Sequence, residues 1–227
     1  MRILLALAFS LLLAPSSAWA GSVVIPGADS GTLNVKVMSL KERQFRLTVR
    51  QKLDFSCGSA ALSTLLTYHY GDPVDEPTIF KAMWDNGDHQ KIRREGFSLL
   101  DLKHFLEARG YSADGYAAPL ERLEGVGIPA IVLIRENGYN HFVVVKGIRD
   151  GKVAVGDPSL GARVYPLPQF EKMMANKIVF VINGLNQKAV FNDPRDWRVR
   201  EKAPISLATS PTNMINSTLL RRPVGDF

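Results

Sequence analysis

Four residues of this chain have types and spacings that could together perform thiol chemistry: Gln51, Cys57, His141 and Asp157. Cys57 is the only cysteine in the chain, and a cysteine thiolate is a nucleophile toward carbonyl carbon. Such chemistry also needs a base for the thiol proton, a group that orients the base, and N–H donors for the oxyanion. His141 supplies an imidazole, and Asp157, sixteen residues on, a carboxylate that would fix its tautomer and stabilise the imidazolium. Gln51, six residues before the cysteine, carries an amide that could turn back to join the Cys57 N–H as an oxyanion donor. A lone free cysteine is more often a small buried hydrophobe, and its position alone does not decide between the two roles. Zinc is the competing use of Cys, His and Asp, but one cysteine without a close pair of ligands argues against it. No metal and no cofactor is expected.

The stretch QKLDFSCGSAALSTLL, residues 51–66, must do the positioning. A strand-like run ends before Cys57 and a helix begins, with Ala61, Leu62, Leu65 and Leu66 on one stripe. Ser56 is placed to cap that helix, Gly71 to close it and Pro73 to stop it. Cys57 then lies in the first turn, at the positive end of the dipole, which favours thiolate. His141 opens the apolar run NHFVVVKG, and Asp157 closes the strand that follows it. A hairpin turning at Asp150-Gly151 sets the start of the first strand beside the end of the second, so His141 and Asp157 meet by topology. The other histidines fit less well: His69 is too far along the cysteine helix, His89 sits in a charged loop and His104 reads as a surface or internally satisfied histidine.

Upstream, Leu33, Val35 and Val37 alternate, as do Phe45, Leu47 and Val49, and the polar run 39–43 lies between them. This predicts a hairpin leading into Gln51. Further helices are predicted from near Pro77 to just before Asn86-Gly87 and from a Ser98/Asp101 capping box to Gly110, with an exposed loop over residues 86–96. Strands over 128–134, 140–147, 152–156 and 178–182 and a short helix at 168–175 complete the pattern. Helices first and a meander of strands after them predict an α+β domain with an antiparallel sheet.

With 227 residues the chain has enough length for one sizeable core. Residues 1–20 read as a secretory signal peptide: Arg2, the apolar run Ile3–Leu13, and Ala18-Trp19-Ala20 at the cleavage site. An exported chain with a single thiol cannot pair it internally, which raises the odds that the thiol is used. The net charge of +6 is uneven, because residues 185–227 hold seven Lys and Arg against four acids. No basic stripe interleaved with aromatics runs through the core, which speaks against nucleic-acid binding. The layout expected is a signal peptide (1–20), an N-terminal β extension (21–50), a catalytic domain (51–184) and a basic, flexible tail (185–227).

The segments QKLDFSCGSAAL, NHFVVVKG and VAVGDPSLGARVY, with GFSLLDL between them, resemble the bacteriocin-processing cysteine peptidase family of the papain-like clan over about residues 45–182. That resemblance implies a papain-like fold, N-terminal helices packed on an antiparallel sheet. It implies that Cys57 is the nucleophile, His141 the base, Asp157 its orienting group and Gln51 the oxyanion donor. Ser56 departs from the acidic or amide residue that the family often carries before the cysteine. Better-known members are transporter domains that cut leader peptides after Gly-Gly, and a chain with its own signal peptide does not inherit that substrate. In layout the chain is similar to the stand-alone periplasmic peptidases of functional-amyloid secretion systems. Amyloid subunits and an outer-membrane pore are the partners this implies, with the basic tail as a docking segment. A non-catalytic peptide-binding module and a cell-wall peptide hydrolase are the competing functions. Gln51 and the Asp157-Pro158 turn speak against the hydrolase.

Overall fold

The computed structural model of the protein describes residues 22–26, 32–36, 38–136, 138–184 and 189–198. The predicted signal peptide and the part of the predicted tail beyond residue 198 lie outside the described residues. The chain divides into two compact units, residues 1–43 and 44–227.

In the first unit, strands β1 (Ser22–Pro26) and β2 (Thr32–Lys36) form an antiparallel hairpin with Val24 opposite Asn34. The predicted hairpin needs a second strand at 45–49, and those residues form none. Leu40–Gln44 is a short helix, α1, because Ser39 and Glu42 make a reciprocal cap (Ser39 N–H to Glu42 Oε2 2.7 Å, Glu42 N–H to Ser39 Oγ 3.1 Å). The alternation of Phe45, Leu47 and Val49 belongs to irregular chain and not to a strand.

The second unit begins its regular structure with the cysteine helix α2 (Cys57–His69), followed by α3 (Glu76–Asp85), α4 (His89–Glu95) and α5 (Leu99–Ala108). Then come β3 (Ser112–Ala117), α6 (Glu121–Val126), β4 (Ala130–Glu136), β5 (Tyr139–Arg149), β6 (Lys152–Asp157), β7 (Gly161–Pro166), α7 (Leu167–Met173) and β8 (Ile178–Asn183). The strands form one six-stranded antiparallel sheet in the order β3-β8-β4-β5-β6-β7. One face packs Ile131, Phe142, Val144 and Phe180 against Leu62, Leu65, Leu102 and Leu106 of the helices. The other packs Val132, Val143, Val155 and Val179 against Leu123 of α6 and Phe170 of α7. Strand β5 is buried on both faces from Phe142 to Ile148, which is why its sequence is a continuous apolar run rather than an alternation. Among the described residues, no helix is long and apolar enough to cross a membrane.

Three features correct the expectations from sequence. Residues 86–96 contain helix α4, because the Asp88 carboxylate accepts the N–H groups of Gln90 (3.0 Å) and Lys91 (3.1 Å); its one buried side chain is Ile92. Strands β3 and β7 are additional to those predicted. They are the two edges of the sheet, and SADGYA and GARVYP carry little of the apolar pattern that interior strands need. The third correction is the tail: residues 189–198 lie along the second unit instead of running free. The Val190 N–H donates to the His69 carbonyl (2.8 Å) and the Asn192 N–H to that of Lys146 (3.0 Å). Lys146 and Asp196, both buried, form an ion pair, and the Lys146 ammonium also donates to the Leu47 carbonyl (2.7 Å).

Burial pushes Lys146 down and Asp196 up, each toward its neutral form, and their mutual attraction acts the other way. Removing one partner strands the other in the core. Asp196→Ala is therefore expected to cost about 3–5 kcal/mol, and the joint Lys146→Met, Asp196→Leu replacement much less. Urea unfolding of the two variants checks this, and equal losses would contradict it.

His69 is enclosed in the same region, its Nδ1 2.7 Å from the Val190 carbonyl. Burial first, and then the Lys146 charge, lowers its pKa to about 4. An unfolded histidine titrates near 6.5, so below that pH the unfolded chain binds the proton more tightly. Stability is then full above about pH 6.5 and falls toward pH 4, by about 3 kcal/mol at complete titration. Urea titrations at pH 7.5 and 5 should show this slope in the wild type and a shallower one in His69→Gln; identical slopes would refute it.

Candidate active site

Cys57 opens α2, and its side chain is held at the edge of the helix-facing core, 7% exposed. Ser56 precedes it but makes no side-chain cap; its hydroxyl is 3.0 Å from the Leu53 carbonyl and accepts the Leu53 N–H at 3.1 Å. That serine therefore shapes the turn of residues 53–56 that delivers the sulfur, and leaves the first N–H groups of the helix open. The expectation of a favoured thiolate is reversed. Burial pushes the Cys57 thiol up, against the opposing pull of the Phe142, Gly58 and Cys57 N–H groups, and the Asp157 carboxylate pushes it further. The helix-start donors exist, but desolvation outweighs them.

The Phe142 N–H that faces the sulfur belongs to the residue after His141. The start of β5 is thus brought to the start of α2, and the sheet packs there through Phe142, which lies against Gly58. A Cβ on Gly58 would sit 3.1–3.2 Å from Leu102 of α5 and from Phe97 just before it, so α5 and the chain entering it approach α2 this closely because that position is glycine. His141 pairs with Ile134 across β4, and its Nε2 lies 3.3 Å from Oδ2 of Asp157. The hairpin between them turns at Asp150 and Gly151, whose φ values of 52° and 68° are both left-handed, the type I′ geometry that an Asp-Gly pair favours.

Asp157 is 1% exposed and fully engaged. Its Oδ1 accepts the N–H groups of Ser159 (2.8 Å) and Leu160 (3.1 Å), which leaves Oδ2 for the imidazole. The turn from β6 to β7 closes at Gly161, with φ 83°, where a Cβ would meet the Gln44 carbonyl oxygen at 2.9 Å. Gln51 lies against this same turn. Its backbone N–H donates to the Pro158 carbonyl (3.0 Å), its Oε1 accepts the Ser159 hydroxyl (2.8 Å), and its Nε2 donates to the carbonyls of Leu53 (3.0 Å) and, weakly, Asp54 (3.4 Å).

All four residues singled out from the sequence therefore lie about one junction, where the 51–56 loop, the start of β5 and the end of β6 converge. Sequence reasoning misses Glu136. It contributes one ligand-type atom to a group with His141 and Asp157, all within 4.8 Å. Three such atoms could hold a cation, but the Arg163 guanidinium, 3.7 Å from Glu136, already supplies positive charge there. No spacing rule would find Glu136, because it reaches the site across the β4–β5 ladder. His69, His89 and His104 lie elsewhere: buried against Val190, stacked on Trp84 (centroids 4.4 Å apart) and exposed on α5.

The family model for the Peptidase C39 family matches residues 46–186. The chain is 43% identical over 175 residues to a Pseudomonas aeruginosa protein named "Probable functional amyloid protease FapD", with 77% of each chain covered. It is 41% identical over 175 residues to the protein of the same name from Pseudomonas fluorescens, again with 77% of each covered. The peptidase domain of Streptococcus ComA has the same fold, with a TM-score of 0.52 at 16% identity, over 61% of this chain and 98% of that one. Helices laid on an antiparallel sheet, the papain-like arrangement, are thus shared with solved peptidase domains. This chain belongs to the Peptidase C39 family, and it is a cysteine peptidase.

Proposed function

We propose that the protein is a periplasmic endopeptidase in which Cys57 attacks the scissile carbonyl, His141 is the base, Asp157 orients it, and Gln51 with the Cys57 N–H receives the oxyanion. The observation that carries this reading is the His141–Asp157 contact at 3.3 Å, made by Nε2, so that Nδ1 is the ring nitrogen left for the sulfur. Burial disfavours the thiolate, so in this reading the proton leaves as the sulfur attacks. Sγ bonds to the carbonyl carbon, and the thiol proton passes to Nδ1. The resulting oxyanion collapses to an acyl thioester as the leaving amine takes that proton. Water, deprotonated by the same nitrogen, then attacks the thioester, releases the acid and restores the thiol. A carboxylate at Nε2 stabilises the imidazolium between these steps.

The features of residues 1–20 support export, and the likeness to proteins named as functional amyloid proteases supports exported amyloid or secretion polypeptides as the substrates. Amyloid subunits and an outer-membrane pore are the corresponding partners, and Gly-Gly specificity is not assumed. Two measurements test the proposal. The tagged protein should appear in the osmotic-shock fraction with residues 1–20 removed. The purified protein should also cut polypeptides collected from cells that lack it, and iodoacetamide should stop the cutting. An uncleaved amino terminus in the cytoplasm, or fragments that form regardless of alkylation, would overturn it.

A further inference from the structure

We infer that Ser159 is a positioning residue for the peptidase reaction, setting the amide of Gln51 while it helps to hold the Asp157 carboxylate; this rests on the roles proposed above for Gln51 and Asp157. Ser159 touches both halves of the machinery. Its backbone N–H donates to Asp157 Oδ1 (2.8 Å), and its hydroxyl donates to Gln51 Oε1 (2.8 Å), a residue 108 positions away.

An amide side chain has two ends of similar shape, and its neighbours decide which end is oxygen. The Leu53 and Asp54 carbonyls accept only, so they require Nε2 on their side. The Ser159 hydroxyl fills the opposite side with a donor, so the two contacts select one orientation. The Asp54 contact, at 3.4 Å, is long for an N–H···O bond, so one amide hydrogen is loosely held. That hydrogen is the one free to turn to an oxyanion. Without the Ser159 hydroxyl, Oε1 faces solvent, because this serine is exposed, and the amide samples other rotamers. The Gln51 N–H to Pro158 carbonyl bond still ties the loop to the turn, so the change is confined to the side chain.

Ser159→Ala should lower kcat about tenfold, the weight of one ordinary hydrogen bond, with KM unchanged. Ser159→Thr, which keeps the hydroxyl, should recover most of that loss. The decisive comparison is the cycle with Gln51→Ala, measured on one peptide substrate with the full exported protein. If Ser159 acts through Gln51, the double variant turns over no more slowly than Gln51→Ala alone. Losses that multiply, or a Ser159→Ala enzyme as fast as the wild type, would overturn the role while leaving Cys57-dependent cleavage intact. Cleavage that survives Cys57→Ala would instead overturn the peptidase assignment of these residues, and the role of Ser159 with it.

Discussion

Cys57→Ala is expected to abolish peptide cleavage, and His141→Ala to come close to doing so. In a serine triad, removing the nucleophile or the base costs about 10⁶ in kcat, and removing both costs little more. The same non-additivity is expected for this thiol, because once buried it has no reactivity to spare. Desolvation raises the Cys57 pKa, so without an acceptor for its proton the sulfur stays a thiol at neutral pH. Neither change should unfold the protein. Alanine at position 57 keeps the helix start, and His141 is half-buried near the start of its strand, where the core contribution begins at Phe142. Circular dichroism should match the wild type while turnover is lost. Cys57-dependent cleavage at wild-type rates in His141→Ala would remove the base from its role.

Asp157→Asn is the second large effect, expected to cost about 10³–10⁴ in kcat even though it is nearly isosteric. The reason lies in the hydrogen bonds of the carboxylate. Oδ1 accepts two backbone N–H groups, from Ser159 and Leu160, so an asparagine must place its carbonyl oxygen there. Its NH₂ then occupies the Oδ2 position, 3.3 Å from Nε2 of His141. A donor at that point selects the tautomer with the proton on Nδ1, the nitrogen that must receive the thiol proton. Asp157→Ala should be at least as slow and should also lower stability, because two buried N–H groups lose their acceptor. An Asp157→Asn enzyme within tenfold of the wild type would contradict the proposed role of Oδ2.

Much of this arrangement is legible in the sequence because it depends on local signals. The Asp150-Gly151 turn, the apolar run from Phe142 and the acid that ends β6 together dictate that His141 and Asp157 meet. The capping box of Ser98 and Asp101 marks α5 as clearly in the structure as in the sequence. Signals that act across the fold are invisible. The likeness of β2 to residues 45–49 suggests a hairpin, but strand pairing depends on a partner, and β1 takes that place. Asp88 hides a helix inside a charged stretch. The buried Lys146–Asp196 pair, which lays part of the predicted tail along the domain, joins residues 50 positions apart. The helix position of Cys57 favours thiolate, whereas its desolvation comes from packing that no spacing reveals.

The most direct test of the proposed thiol chemistry is to sequence the amino termini of exported proteins, by mass spectrometry, from cells making the wild type, Cys57→Ala or His141→Ala at equal levels. Attack by Cys57 with His141 as its base predicts a set of internal termini that forms with the wild type and vanishes with both variants. The same termini from Cys57→Ala cells would show that the cleavage does not pass through this sulfur.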